Sequence, residues 1–76
     1  MSASLSRLPK HFGETVRELR KEAELSQMVL AEKAGLTLNY IGNVERGEKM
    51  PSLETVIRIA SAFGMSGAQL LAKAQI

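Results

Sequence analysis

The sequence predicts an all-α fold, a compact five-helix bundle. Three observations carry that prediction. Apolar residues recur at intervals of three and four, the period of a helix with one buried face. Ser or Thr precedes each of the last four apolar runs (Ser26, Thr37, Ser52, Ser66), and glycine closes three of them (Gly35, Gly47, Gly64). Those are the residues that start and stop helices, because a hydroxyl satisfies orphan N–H groups and glycine accepts a left-handed turn. No stretch alternates apolar with polar residues as a half-buried strand does.

Residues 1–9 read as a flexible N-terminal arm and residues 10–76 as one domain. Pro9 stands at or near a first helical position, where its missing N–H costs nothing. Phe12, Val16, Leu19 and Ala23 then draw one apolar stripe, which predicts a helix over 10–23. Ser26 caps a second helix, Gln27–Ala34, that buries Leu30, Ala31 and Ala34 before Gly35 ends it. Thr37 caps the third, Leu38–Arg46, closed by Gly47. Pro51 and Ser52 lead into a fourth, whose stripe is Leu53, Val56, Ala60 and Phe63 with Ile57 and Ile59 flanking. Gly64 terminates it, and Ser66 caps a short last helix that packs through Leu70 and Leu71.

Composition narrows the function before any motif does. The 76 residues include no cysteine and a single histidine, His11. The sequence also has no aspartate. A disulfide framework, a zinc cluster and a Ser-His-Asp triad are thereby excluded, and neither a cofactor nor an enzyme activity is expected. No apolar run approaches the roughly 18 residues of a membrane span, and no secretory apolar region opens the chain. A soluble, cytoplasmic module is the expectation. The net charge of +2 is compatible with a nucleic-acid partner. Three aromatics (Phe12, Tyr40, Phe63) are too few for a single-strand stacking platform. Any DNA contact must come from a few side chains placed on a folded scaffold.

Residues 27–46 have the shape of a helix-turn-helix: a short helix, a turn with glycine, and a second short helix. Ala31 is small where two steeply crossing helices must approach, and Gly35 supplies a positive φ. Ile41 and Val44, three apart, face back onto the preceding helix. Thr37, Leu38, Asn39, Gly42 and Asn43 are left facing outward, on a helix suited to a major groove about 12 Å wide.

The strings R-x-L-R (from Arg17), L-S-Q (from Leu25), L-A-x-K-A-G-L (from Leu30), Y-I-x-x-x-E-R-G (from Tyr40) and P-S-L-E-T (from Pro51) occur in that order. Together they make the stretch from Phe12 to Leu70 resemble the DNA-binding domain of phage Cro and lambda-type repressors, the XRE-like helix-turn-helix family. The resemblance implies a lambda-repressor-like fold and sequence-specific binding of double-stranded DNA by a homodimer. It further implies base reading by Leu38, Asn39 and Asn43, and phosphate contacts from Gln27, Thr37, Tyr40, Arg46 and Lys49. Arg7 or Lys10 would add cationic contacts. Arg20 and Glu45 match a partly buried salt bridge between the first helix and the recognition helix.

A transcriptional regulator, either a repressor or a restriction–modification controller, is the leading expectation. The alternatives are an antitoxin and a protein-interaction module on the same fold, for which exposed Met28 and Val29 offer a partner surface. Since dimerisation must leave 37–46 free, the interface is expected at Met65, Ala68, Leu71 and Ile76, with Ile57 beside them.

Overall fold

The computed structural model describes residues 7–76, and those residues form five helices in chain order. They are α1 (Leu8–Glu22), α2 (Gln27–Ala34), α3 (Leu38–Glu45), α4 (Leu53–Ala62) and α5 (Gly67–Lys73). The first helix begins at Leu8, earlier than the apolar spacing predicts, with Pro9 in its opening turn. Residues 8 and 9, expected in the arm, are therefore helical. Positions 1–6 of that arm lie outside the described residues.

The caps work as the sequence anticipates. The hydroxyls of Ser26, Thr37, Ser52 and Ser66 each accept a hydrogen bond from the backbone N–H three residues on, at 3.0–3.2 Å. Ser66 and Gln69 complete a reciprocal capping box, in which the Gln69 amide oxygen accepts from the Ser66 N–H at 2.8 Å. The helices also end alike: a residue with positive φ closes the last turn of each. Gly35, Gly47 and Gly64 fill that position after α2, α3 and α4. Glu24 and Gln75 fill it after α1 and α5, so these two ends lack the glycine signal that sequence reading relies on.

Phe12, Val16, Leu30, Ile41, Val44, Ile59 and Leu70 are fully buried and form one core with contributions from every helix. The α1 helix packs on α3, α2 on both α3 and α4, and α4 on α5. Two expected core positions are corrected. Ala23 is exposed, because the helix ends at Glu22 and the chain turns away. Leu53 is 70 % exposed, and Ile59 takes the buried place, so the inward stripe of α4 is Val56, Ile59 and Ala60. No single helix among the described residues is long and apolar enough to cross a membrane.

Candidate nucleic-acid interface

The α3 helix is held from behind. Ile41 and Val44 are fully buried, and the turn leading in from α2 is fixed by Gly35 at φ +70°. The Leu36 N–H closes that turn by donating to the Ala31 carbonyl at 2.8 Å. Thr37, Leu38 and Asn39 emerge at the first turn of α3, Leu38 and Asn39 exposed. Asn43 follows Asn39 by one helical turn on the same face and is half-buried. Gly42 departs from the outward placement that its spacing predicts. It is buried, because the Arg46 side chain folds back across it; a Cβ there would lie 3.0 Å from Arg46 Nη1.

A forked ion pair locks α3 to the rest of the fold. Arg20 Nε and Nη2 donate to Glu45 Oε2 and Oε1 at 2.6 and 3.1 Å. The two side chains are 13 % and 3 % exposed, so both charges are largely withdrawn from water and depend on each other. Arg20 Nη1 donates to the Leu25 carbonyl at 2.9 Å, and Gln27 Nε2 donates to Glu45 Oε1 at 3.0 Å. Donating its hydrogen bonds to Glu45 keeps the Arg20 guanidinium above its ordinary pKa against the opposing effect of burial. The first residue of α2 is thus tied to α1 and α3 through one carboxylate. With one amide N–H spent on Glu45, Gln27 keeps its second N–H and its backbone N–H at the start of α2, the end of a helix that favours anions.

At the far end of α3 a second cluster forms. Arg46 Nε and Nη2 donate to the two oxygens of Glu48 at 3.0 and 3.2 Å, and Nη2 also donates to Asn43 Oδ1 at 2.7 Å. This pair is solvent-exposed, and Arg46 holds the Glu48 carboxyl below its ordinary pKa by hydrogen bonding and by charge. Lys49 is exposed beside it. Gly47, at φ +77°, packs against the backbone of α1, where its Cβ would lie 3.0 Å from the Lys10 Cα. That contact brings the start of α1, with exposed Arg7 and Lys10, next to the Arg46–Lys49 loop.

The remaining expected residues divide. Tyr40 is half-buried and packs on the core, while its N–H is bound by Thr37. Met28 and Val29 are exposed, as are Ile57, Ala68 and Ile76. Met65 and Leu71 pack inward on the core and are only half-buried rather than presented. Sequence reading missed Gly13, whose Cβ would overlap the Val44 carbonyl oxygen, and it missed Glu48 as the partner of Arg46. Glycine in the middle of an amphipathic helix was the available signal for the first.

Comparison with known proteins agrees with this geometry. Residues 16–70 match the family model HTH_3, described as helix-turn-helix. The control protein C.SmaI of Serratia marcescens is 45 % identical over 62 residues, covering 82 % of this chain and 74 % of that protein. The immunity repressor protein of Bacillus phage phi105 is 42 % identical over 53 residues, covering 70 % of this chain but only 37 % of its own length. Among solved structures, the restriction-modification controller protein C.AhdI from Aeromonas hydrophila superposes with a TM-score of 0.78 at 39 % identity. That match covers 82 % of this chain and 94 % of the controller chain. The chain belongs to the HTH_3 helix-turn-helix family, together with phage repressors and restriction–modification control proteins.

Proposed function

We propose that this protein is a cytoplasmic transcriptional regulator that binds double-stranded DNA sequence-specifically, as a homodimer on an inverted repeat, and carries out no catalysis. The observation that carries the reading is the paired presentation of Asn39 and Asn43, one turn apart on a helix pinned from behind by Ile41 and Val44. An asparagine amide can pair with adenine bidentately in the major groove. Exposed Leu38 beside them suits the methyl group of thymine. Gln27, Thr37, Arg46 and Lys49, with Lys10 close by, frame that face with phosphate-binding groups. Tyr40, half-buried against the core, stands beside them. The names of the control proteins and the immunity repressor support regulation as the outcome.

For the dimer, Ile57, Ala68 and Ile76 form the proposed contact, and Leu53, one turn before Ile57, extends it. The test is a titration of the DNA upstream of the protein's own gene, against a shuffled duplex, at several salt concentrations. With about two to four cationic phosphate contacts per protomer, affinity should fall with a log–log salt slope of roughly −4 to −7 for the dimer. A slope near zero, or equal affinity for both duplexes, overturns the proposal.

A further inference from the structure

One edge of Arg46 is already occupied. A guanidinium binds a phosphate best through two parallel N–H groups on one edge. In this structure the Nε–Nη2 edge is fully engaged with the Glu48 carboxylate, at 3.0 and 3.2 Å. The second Nη2 hydrogen goes to Asn43 Oδ1 at 2.7 Å. Nη1 lies over Gly42, 3.0 Å from where a Cβ would sit. The backbone makes this arrangement a built one. Gly47 at φ +77° reverses the chain, and the Glu48 N–H donates to the Asn43 carbonyl at 2.9 Å. That bond sets the Glu48 side chain beside Arg46 and returns the loop to the turn that carries Asn43. One carboxylate therefore restrains a residue proposed to touch DNA.

We propose that Glu48 is an internal stand-in for phosphate, a latch that holds the Nε–Nη2 edge of Arg46 until DNA displaces it. The inference rests on the DNA-binding reading above and adds a residue that sets affinity without touching the nucleic acid. When a phosphate takes the Nε–Nη2 edge of Arg46, Glu48 is expelled, while the other Nη2 hydrogen stays with Asn43 Oδ1. Phosphate capture is thus the exchange of one anion for another on a single guanidinium edge. An exposed ion pair is a weak restraint, so the latch tunes binding and does not forbid it.

The test is a double-mutant cycle in fluorescence anisotropy, using the full chain with a random-sequence duplex and with the operator. Glu48→Gln and Glu48→Ala both leave the backbone bond to Asn43 in place. Each should tighten binding about two- to fivefold per protomer on both duplexes, with the ratio between duplexes unchanged. In an Arg46→Ala background the same substitutions should give no such gain, since there is nothing left to release. A gain that persists undiminished in that background would show simple charge repulsion between Glu48 and DNA, and would overturn the latch. Weaker binding by Glu48→Gln would overturn it too, by showing that the carboxylate supports Arg46 in the complex. Failure of the wild-type protein to bind any duplex would overturn the DNA-binding reading itself. Normal wild-type binding with unaltered Glu48 variants would overturn the latch alone.

Discussion

Gly13 and Val44 meet where α1 crosses α3, so closely that a Cβ on residue 13 would overlap the Val44 carbonyl oxygen and approach the Glu45 carbonyl oxygen to 2.9 Å. Backbone on both sides leaves no flexible neighbour to yield. Gly13→Ala should therefore destabilise the fold by about 1–3 kcal/mol or more, despite a helix-propensity gain of about 1 kcal/mol. Gly67→Ala is the control, since the nearest atom to its Cβ would be the movable Ile57 Cγ1 at 3.3 Å, with the rest at ordinary contact distance. Thermal unfolding checks both. A Gly13→Ala protein as stable as wild type would contradict the crossing.

The Arg20–Glu45 pair should respond asymmetrically. Removing only Glu45, as in Glu45→Ala, strands a largely buried guanidinium and should cost about 3–5 kcal/mol. Replacing both partners with methionine should cost less than either single change, because no uncompensated charge remains. Urea denaturation of the two single variants and the double variant measures this. Additive losses would mean that the charges are not coupled.

Base readers and phosphate binders should separate in their DNA profiles. Asn39→Ala and Asn43→Ala should each lose about 1–3 kcal/mol of binding on the operator and little on random DNA. Arg46→Ala should weaken binding to every duplex alike and make the salt slope shallower by about one for each phosphate it no longer neutralises. Equal losses on operator and random duplexes for the asparagines would remove them from the reading set.

Acid should open the Arg46–Glu48 pair. The Glu48 carboxyl titrates below its ordinary value because Arg46 stabilises the charged form. The pair's contribution is therefore complete above the pKa of an unfolded glutamate and is lost as pH falls through the lower folded value. A carbon-13 NMR titration of Glu48 should show this low midpoint and its return upward in Arg46→Ala. An unmoved midpoint would show that the pair does not form in solution.

Dimerisation should depend on Ile57 and spare the fold. Two recognition helices must sit about 34 Å apart to enter successive major grooves, so half-sites should be centred ~10–11 base pairs apart. Ile57→Glu should leave the unfolding temperature nearly unchanged, since this side chain is 51 % exposed, yet yield monomers in sedimentation. Leu71→Glu is the poorer probe, because Leu71 packs on the core. A dimer of Ile57→Glu as strong as that of wild type would move the interface elsewhere.

Local chemistry was legible, and the approach of α1 to α3 at Gly13 was not. Ser26, Thr37, Ser52 and Ser66 announced their helices because a cap is an interaction within four residues. Gly35, Gly47 and Gly64 announced the ends for the same reason. Glu24 and Gln75 adopt the same left-handed conformation without the residue type that normally reveals it. Leu53 and Ile59 exchanged places because a three–four spacing fixes a face only to within a residue, and the neighbouring helix decides the rest. The site followed the same rule. The positions of Asn39 and Asn43 could be read from spacing, whereas the grip of Arg46 on Asn43 and Glu48 depends on the path of the chain after Gly47.

The shortness of the central helices has a consequence for transplantation. Both α2 and α3 have eight residues, below the roughly 12–15 at which a helix begins to persist alone in water. A peptide carrying 27–46 alone should be largely coil, and grafting those residues onto another scaffold would transfer the letters without the shape. What can be exchanged is the set of side chains proposed to read bases: Leu38, Asn39 and Asn43 stand on a chassis that Phe12, Val16 and the Arg20–Glu45 pair keep rigid. On the proposed reading, new operators should be reachable by rewriting these few positions, while the unit that is engineered must be the entire domain.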